Sequence, residues 1–545
     1  MSSCRERATG RTAKERMKRF FLGLDSSTQS LKATLIAEDL QTAGEVAVAF
    51  DADLPEFKTR GGVHKSPDGL TVTSPPLMWV AALDLLFERM KAAGWPLGGV
   101  AAIAGSGQQH GSVWLQRSAR AILQNLDAQK TLSDQLVGIF SVTDSPIWMD
   151  SSTTKQCRAL EAALGGAQAV AELTGSRAYE RFTGNQIAKI FQMQTAGYVA
   201  TDRIALVSSF VASILIGGYA PIDVSDGSGM NLMDVRRKRW APKALAATAP
   251  DLEPRLGPLV ASHETVGTLH SYFAGRYGFS KDCIVVAFSG DNPNSLAGLR
   301  LQETGDVAVS LGTSDTMFGS LAEPKPSADE GHIFVNPVDP AAYLAMVCFK
   351  NGSLTREFVR DQTAGGSWQE FDRLLQASPA GNEGQIGFYI KEPEITPPIL
   401  KTGLHRFDAG DRRVKMFAPA NEVRAVVEGQ FLSMRLHGGN IGIRPKSILA
   451  TGGASANRGI VQILSNVFGV PVFVGEQPNS ASLGAAYRAL HGWRCKQEQK
   501  FVRFAEVMAG APPFRKAFDP DKAAHAVYTA LMARYAALEQ EVLKG

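Results

Sequence analysis

The chain has 545 residues, of which 44% are hydrophobic and 20% charged, enough apolar material for large cores and too much for wholesale disorder. Its 53 glycines follow no G-X-Y period, which excludes a collagen-like fibre. The net charge of +4 sits at the start: residues 1–19 hold seven Lys/Arg and two Glu, leaving 50 basic and 51 acidic groups, so the neutral body argues against a nucleic-acid-binding face.

In chain order, residues 1–17 form a basic tail. It reads as a solvated extension, as a start upstream of the real one, or as a mitochondrial transit peptide. Then comes a recurring unit: a short apolar run followed by a loop of Gly, Ser, Thr or Asp. Phe20–Leu24 leads into Asp25-Ser26-Ser27-Thr28. Leu77–Met90 carries apolar residues at helical spacing behind Ser74-Pro75-Pro76. Val100–Ala104 leads into Gly105-Ser106-Gly107-Gln108-Gln109-His110-Gly111. Arg117–Pro146 reads as an inserted helical hairpin or loop. The uncharged run Ile204–Ile222 is long enough to raise a membrane span, but its serines and glycines favour a buried helix and a turn.

Cys283–Phe288 leads into Ser289-Gly290-Asp291-Asn292-Pro293, and Val307–Val309 into Ser310-Leu311-Gly312-Thr313-Ser314-Asp315. Glu323–Glu330 and Lys391–Gly410 read as surface connections. Glu422–Leu436 predicts a helix that stops at Gly438-Gly439. Ser447–Ala450 leads into Thr451-Gly452-Gly453-Ala454-Ser455, Ile460–Phe468 predicts a helix ending at Gly469, and Ala523–Leu543 a final amphipathic helix. Apolar runs this short read as buried strands, and strands alternating with helices predict an α/β sheet. Ligands bind at the carboxyl ends of such strands, so these loops predict one polar site built from distant parts of the chain. The hydroxyl-rich loops near 25 and 312 echo each other, which suggests a duplicated two-lobe architecture. Five scattered cysteines without CxxC fit a reducing compartment and no zinc site.

A phosphate-handling site needs donors, glycine for close approach and a carboxylate for Mg²⁺. The loops supply these without a Walker A sequence, a GxSxG elbow or an HExxH helix. Taken singly, each loop has a plain structural reading: Asp25 caps a turn, His110 is a satisfied turn histidine, Asp291 opens an Asx turn, and Arg181 lies on the surface. Their joint occurrence in one order is the stronger signal.

Those stretches resemble the FGGY carbohydrate kinases, and within them the xylulose kinases of animal type. The resemblance rests on GLDSSTQS (23–30), SGQQHGS (106–112), GSRAYERFTGNQIAKI (175–190), GDNPNSLAGLRL (290–301), VSLGTSDT (309–316) and ATGGASANRGI (450–460), and runs from about residue 20 to about residue 492. It implies a two-lobe α/β fold of the actin/hexokinase/Hsp70 type, each lobe with a ribonuclease-H-like sheet and the active site in the cleft. After the tail, 18–304 would be a sugar-binding lobe and 305–545 a nucleotide-binding lobe. Asp291 would be the general base. Gln108, His110, Arg181, Asp291 and Asn292 would bind an open-chain ketose, and Asp25 would hold Mg²⁺, through water. Thr28, Gly312 and Thr313 would face the phosphates of ATP, while Gly452, Gly453, Asn457 and Trp368 would receive the adenosine. The implied reaction is ATP-dependent phosphorylation of D-xylulose to D-xylulose 5-phosphate. The alternatives are another ketose or polyol (ribulose, fuculose, glycerol), an actin- or Hsp70-like ATPase, or an inactive sugar sensor. A cytoplasmic monomer or homodimer without nucleic-acid or membrane partners is expected. One departure stands out: many relatives have an Arg soon after Trp-x-Asp, where this chain reads Trp148-Met149-Asp150-Ser151-Ser152-Thr153.

Overall fold

The runs that read as buried strands assemble into two mixed sheets. A computed structural model describes residues 18–475, 477 and 479–544, so the basic tail 1–17 lies outside the described residues. The first half contributes β1 (Phe20–Ser26), β2 (Ser30–Ala37), β3 (Thr42–Ala49), α1 (Pro76–Ala92), β4 (Val100–Gly107), α2 (Thr183–Met193), β5 (Thr265–Thr268), β6 (Ile284–Val286), β7 (Ser289–Gly290) and α3 (Asp291–Gly298). The second contributes β8 (Asp306–Leu311), β9 (Asp315–Leu321), β10 (His332–Val335), β11 (Tyr343–Phe349), α4 (Trp368–Ala377), α5 (Pro419–Asn440), β12 (Ser447–Thr451), α6 (Arg458–Phe468), β13 (Val472–Val474), α7 (Ser480–Glu498), β14 (Arg515–Phe518) and α8 (Lys522–Lys544).

The first sheet has the order β3-β2-β1-β4-β6-β5, with β7 also on β4; the second runs β10-β11-β9-β8-β12-β13-β14. From β3 the pairings are antiparallel, antiparallel, parallel, parallel, antiparallel. From β11 the same five recur in the same order. The echo between the two hydroxyl-rich loops therefore reflects a duplicated scaffold, with β10 as an extra edge strand.

The central strands are buried on both faces, which explains their unbroken apolar runs. On β1, Leu22 and Leu24 join the core with Trp79, Leu83 and Phe87 of α1. Phe21 faces the other way, into a cluster with Leu483, Ala486 and Leu490 of α7. A helix from the second half thus lies under the first sheet. The run from Ile204 holds the buried helix Val207–Ile216. No helix among the described residues is long and apolar enough to cross a membrane.

Two expectations need correction. The helix over 422–436 does not stop at the glycine pair; α5 runs on to Asn440. Gly438 lies where a Cβ would sit 2.8 Å from the Met317 sulfur, so close packing, not termination, requires it. The segment Lys391–Gly410 is not purely a surface connection either. It contains the strand Gly403–Phe407, paired with Ile386–Ile390, and buries Glu394, Thr396 and Ile399. Polar and Pro-rich composition hid that pairing, because partner contacts outweigh local propensity in short strands.

Candidate functional site

The parallel register sets Asp25 opposite Ser106 and Gly290 opposite Gly107. Asp25 and Asp291 thereby stand at the carboxyl ends of the two strands that flank β4. Asp25 is buried and accepts hydrogen bonds from the hydroxyls of Ser106 (2.7 Å) and Ser27. Burial raises its pKa against the pull of these donors and of Lys32. Asp291 opens α3, and its Oδ1 accepts from the backbone N–H groups of Asn292 (2.8 Å) and Gln109 (3.3 Å). Burial, followed by the charge of Asp25, pushes this carboxyl up to about 7. A carboxylate tuned to that range suits general-base work near neutral pH.

His110 has φ +69° and is buried. Its Nδ1 lies 2.8 Å from the Gly229 carbonyl oxygen, so Nδ1 carries the proton and donates. Burial and the Arg181 charge pull the ring down to about 3; it is neutral, with Nε2 left as an acceptor. His110 stacks on Phe182 at 4.3 Å, and the Thr183 hydroxyl at the start of α2 donates to the His110 carbonyl (3.0 Å). The Arg181 guanidinium lies 5.5 Å over the Tyr179 ring. The GQQHG and ERFTG stretches therefore form one wall.

Within that wall the sequence points to Gln108, and the structure adds Gln109. Gln108 is fully buried and donates its backbone N–H to Ser26 (2.8 Å), while its amide makes no hydrogen bond among the described residues. The Gln109 amide oxygen accepts from Asn292 Nδ2 (2.8 Å), and its backbone N–H reaches Asp291. At a strand end adjacent residues face opposite ways, so only one of a Gln-Gln pair can meet α3, and sequence cannot say which.

The Asp of the Trp-x-Asp stretch sits in a buried polar set. Asp150 accepts from Gln186 Nε2 (2.8 Å) and from the Val72 N–H (3.1 Å), and Lys189 of α2 stands 3.6 Å from it, donating to the Ser152 hydroxyl at 2.5 Å. A neighbouring helix brings the cation to the place where the local sequence has only hydroxyls. Trp148 Nε1 donates to the Thr28 hydroxyl (2.8 Å), linking this region to the β1–β2 hairpin.

Thr28 and Gly312-Thr313 occupy the tips of the β1–β2 and β8–β9 hairpins. An open cleft of about 1190 Å³ is lined by Asn292 of α3, Ser310 of β8, the Gly452-Gly453 turn and Ser480 of α7. Asn457 accepts from the Ile460 N–H (3.0 Å), capping α6, and donates to Asp372 of α4. Trp368 lies one helical turn before Asp372, half-exposed, with its ring against Phe371 (5.2 Å) and the Arg360 guanidinium (4.7 Å). It stands beside the glycine loop and does not line the cleft. Asp315 is committed elsewhere: Arg356 binds it bidentately at 2.7 and 3.0 Å.

Among the described residues no group of three or more His, Cys, Asp or Glu could hold a metal by itself. Asp25, with Asp291 near it, supplies the one or two carboxylates that fit Mg²⁺, which keeps most of its waters and binds substrate phosphates as well.

Two family models match the chain: the FGGY family of carbohydrate kinases, N-terminal domain, over residues 141–298, and its C-terminal domain over residues 307–493. The xylulose kinase of Mus musculus is 53% identical across 99% of this chain and 97% of its own length. That of Rattus norvegicus is 54% identical across 96% and 97%. The crystal structure of xylulose kinase from Rhodospirillum rubrum superposes with a TM-score of 0.78 at 18% identity, covering 96% of this chain and 99% of that one.

Proposed function

We propose that this chain, which belongs to the FGGY family of carbohydrate kinases, transfers the γ-phosphoryl group of ATP to D-xylulose, giving D-xylulose 5-phosphate. The observation that carries this reading is the identity of 53–54% to two mammalian xylulose kinases over nearly the whole chain. The geometry around Asp291 supports it. A ketopentose is nearly all hydroxyls, and the wall of His110, Arg181, Asn292 and Gln109 offers acceptors and donors of matching kind.

In this reading residues 18–304 hold the sugar and 305–545 the nucleotide. Asp291 takes the proton of the terminal hydroxyl as that oxygen attacks the γ-phosphorus. Its raised pKa gives it the basicity for a proton that leaves late in a loose transition state. Neutral His110 accepts a sugar hydroxyl through Nε2, and Arg181 and Asn292 donate to the sugar oxygens. Gln108 lies behind them as a second amide. Thr28, Gly312 and Thr313 bind the phosphates with hydroxyls and backbone N–H groups, while Gly452, Gly453 and Asn457 flank the adenosine, and Trp368, outside the cleft lining, reaches it only if the cleft changes shape on closing. Asp25 would hold Mg²⁺ through water, and the ion would neutralise charge on the β- and γ-phosphates. Closure of the cleft over the sugar keeps water from the γ-phosphate. Cytoplasmic residence, as a monomer or homodimer, is the setting we assign, with sugar and Mg-ATP as partners and no nucleic acid or membrane.

An ADP-release assay with Mg-ATP and D-xylulose, L-xylulose, D-ribulose, L-fuculose and glycerol tests the reading. Turnover mainly on D-xylulose is expected. Preference for another sugar would overturn the substrate, and sugar-independent ATP hydrolysis would overturn the kinase.

A further inference from the structure

Beneath the loop that carries Asp291 lies a buried polar platform for which the reaction as described has no use. Its centre is Arg488, 1% exposed, on α7 of the second half. The guanidinium donates through Nη1 to Asn294 Oδ1 (2.9 Å), and through Nη2 to the carbonyls of Ser262 (2.7 Å) and Ala287 (2.8 Å). Asn294, fully buried in the first turn of α3, donates from Nδ2 to the carbonyls of Gly290 (2.9 Å) and Gly105 (3.2 Å). One side chain thus holds the backbone before Asp291, at Ala287, and through Asn294 the carbonyl of the residue next to it.

The helices are built to bring this group in. A Cβ on Gly484 would stand 1.8 Å from the Asn294 carbonyl oxygen, so only glycine allows α7 to approach α3 so closely. Arg488 follows one helical turn later, on the same face of α7. Around it are two buried carboxyls, Asp223 and Asp226. Asp226 accepts from the Ser208 hydroxyl (2.5 Å), and its free Oδ1 faces Gly290. A lysine could replace the fork only in part, because a single ammonium cannot reach all three acceptors, spread over two segments and a side chain. α7 itself begins at Ser480, in the lining of the nucleotide cleft.

We infer that Arg488 is a positioning residue for phosphoryl transfer: the nucleotide-side half reaches beneath the first sheet and fixes the turn that aims Asp291. The inference rests on Asp291 being the base of the proposed reaction. The role is geometric, since displacing a reacting group by an ångström costs up to about 10²-fold in rate.

The test uses the full chain with Mg-ATP and whichever sugar of the panel turns over fastest. Arg488→Met should lower kcat by about 10- to 10²-fold, with both KM values within about twofold of the parent. Arg488→Lys should recover part of the loss. Asn294→Leu should lower kcat similarly, and the double variant should cost no more than the worse single one, because both act through one chain of bonds. Should Arg488→Met fail to fold, Arg488→Lys and Asn294→Leu carry the same test. A kcat per folded molecule that is unchanged in these variants, losses that add fully, or a rise in sugar KM equal to the fall in kcat would overturn the inference. Asp291→Asn, measured alongside, separates the two readings. Retained turnover there sinks the base and this inference together. Its loss, with kcat intact in Arg488→Met, sinks only the inference.

Discussion

The two sheets share six strands in one order and one set of directions, yet they present opposite chemistry at their carboxyl ends. In the first, Asp25 is the last residue but one of β1, opposite Ser106. In the second, the last residue but one of β8 is Ser310, opposite Thr451. The first helical residue after the parallel strands is Asp291 in the first half and Ser480 in the second. Carboxylates in one half are hydroxyls in the other. A polyphosphate tolerates hydroxyls and N–H groups at its flank, whereas a metal and a proton acceptor call for carboxylates. Duplication supplied the frame, and on the proposed function two positions in each copy would divide the labour.

Removing the acid from the first half is the strongest way to break this division. Asp291→Asn should lower kcat by about 10²- to 10⁴-fold while sugar binding, followed by isothermal titration, changes little. Near-normal turnover would remove Asp291 as the base. Arg181→Ala should next raise the sugar KM by about 10- to 10²-fold with the ATP KM nearly constant, since Arg181 joins His110 and Tyr179 in the first half's wall. Equal effects on both KM values would make Arg181 structural.

The converse experiment puts an acid into the second half. Ser310→Asp should raise the ATP KM about tenfold, because a carboxylate in the cleft lining repels the polyphosphate, and a tenfold change needs only about 1.4 kcal/mol. An unchanged ATP KM would show that the phosphates lie elsewhere. The pH dependence sharpens the same contrast. The base acts deprotonated, and burial with the Asp25 charge sets Asp291 at about 7. The sugar kcat/KM should therefore rise with pH up to about 7 and fall about tenfold per unit below it, as a pH–rate profile would show. A profile flat from pH 5.5 to 7.5 would contradict that assignment.

The frame was legible because its signal is local. Phe20–Leu24 and Val307–Val309 are apolar runs ending in hydroxyl-rich loops, and both are central strands with those loops at their tips. The polar supports were not legible. Lys189 reaches Asp150 from a different helix, and nothing in its local sequence points to that partner. Arg488 lies in an alanine-rich helix, and only the crossing of α3 and α7 reveals what it holds. The choice between Gln108 and Gln109 depends on which way a strand end faces. Glycines misled at Gly438, where tight packing and helix termination leave the same mark in a sequence. Long-range polar pairing is a property of the fold, and periodicity carries no record of it.

The smallest effect concerns what the second half adds after its last strand. Helix α8 is fastened to α5 through His437, whose Nε2 lies 3.0 Å from Glu539 and whose Nδ1 lies 3.5 Å from Glu330. Glu330 also accepts from Asn440 Nδ2 (2.8 Å). Both ring nitrogens face carboxylates, so the cluster needs the imidazolium, the only form with two donors. Burial opposes that charge, but the two carboxylates outweigh it and hold His437 at about 9. A folded pKa above the unfolded value of 6.5 means a contribution that is complete below pH 6.5 and lost as pH rises through 9. The melting temperature should fall by a few degrees between pH 7 and 9.5, and hydrogen exchange should quicken in α8 and the end of α5 while β1 and β4 keep their protection. His437→Gln should melt lower at pH 7 and lose most of that slope, because it has no proton to release. A slope equal to that of the parent chain would show that the cluster does not set this pH dependence.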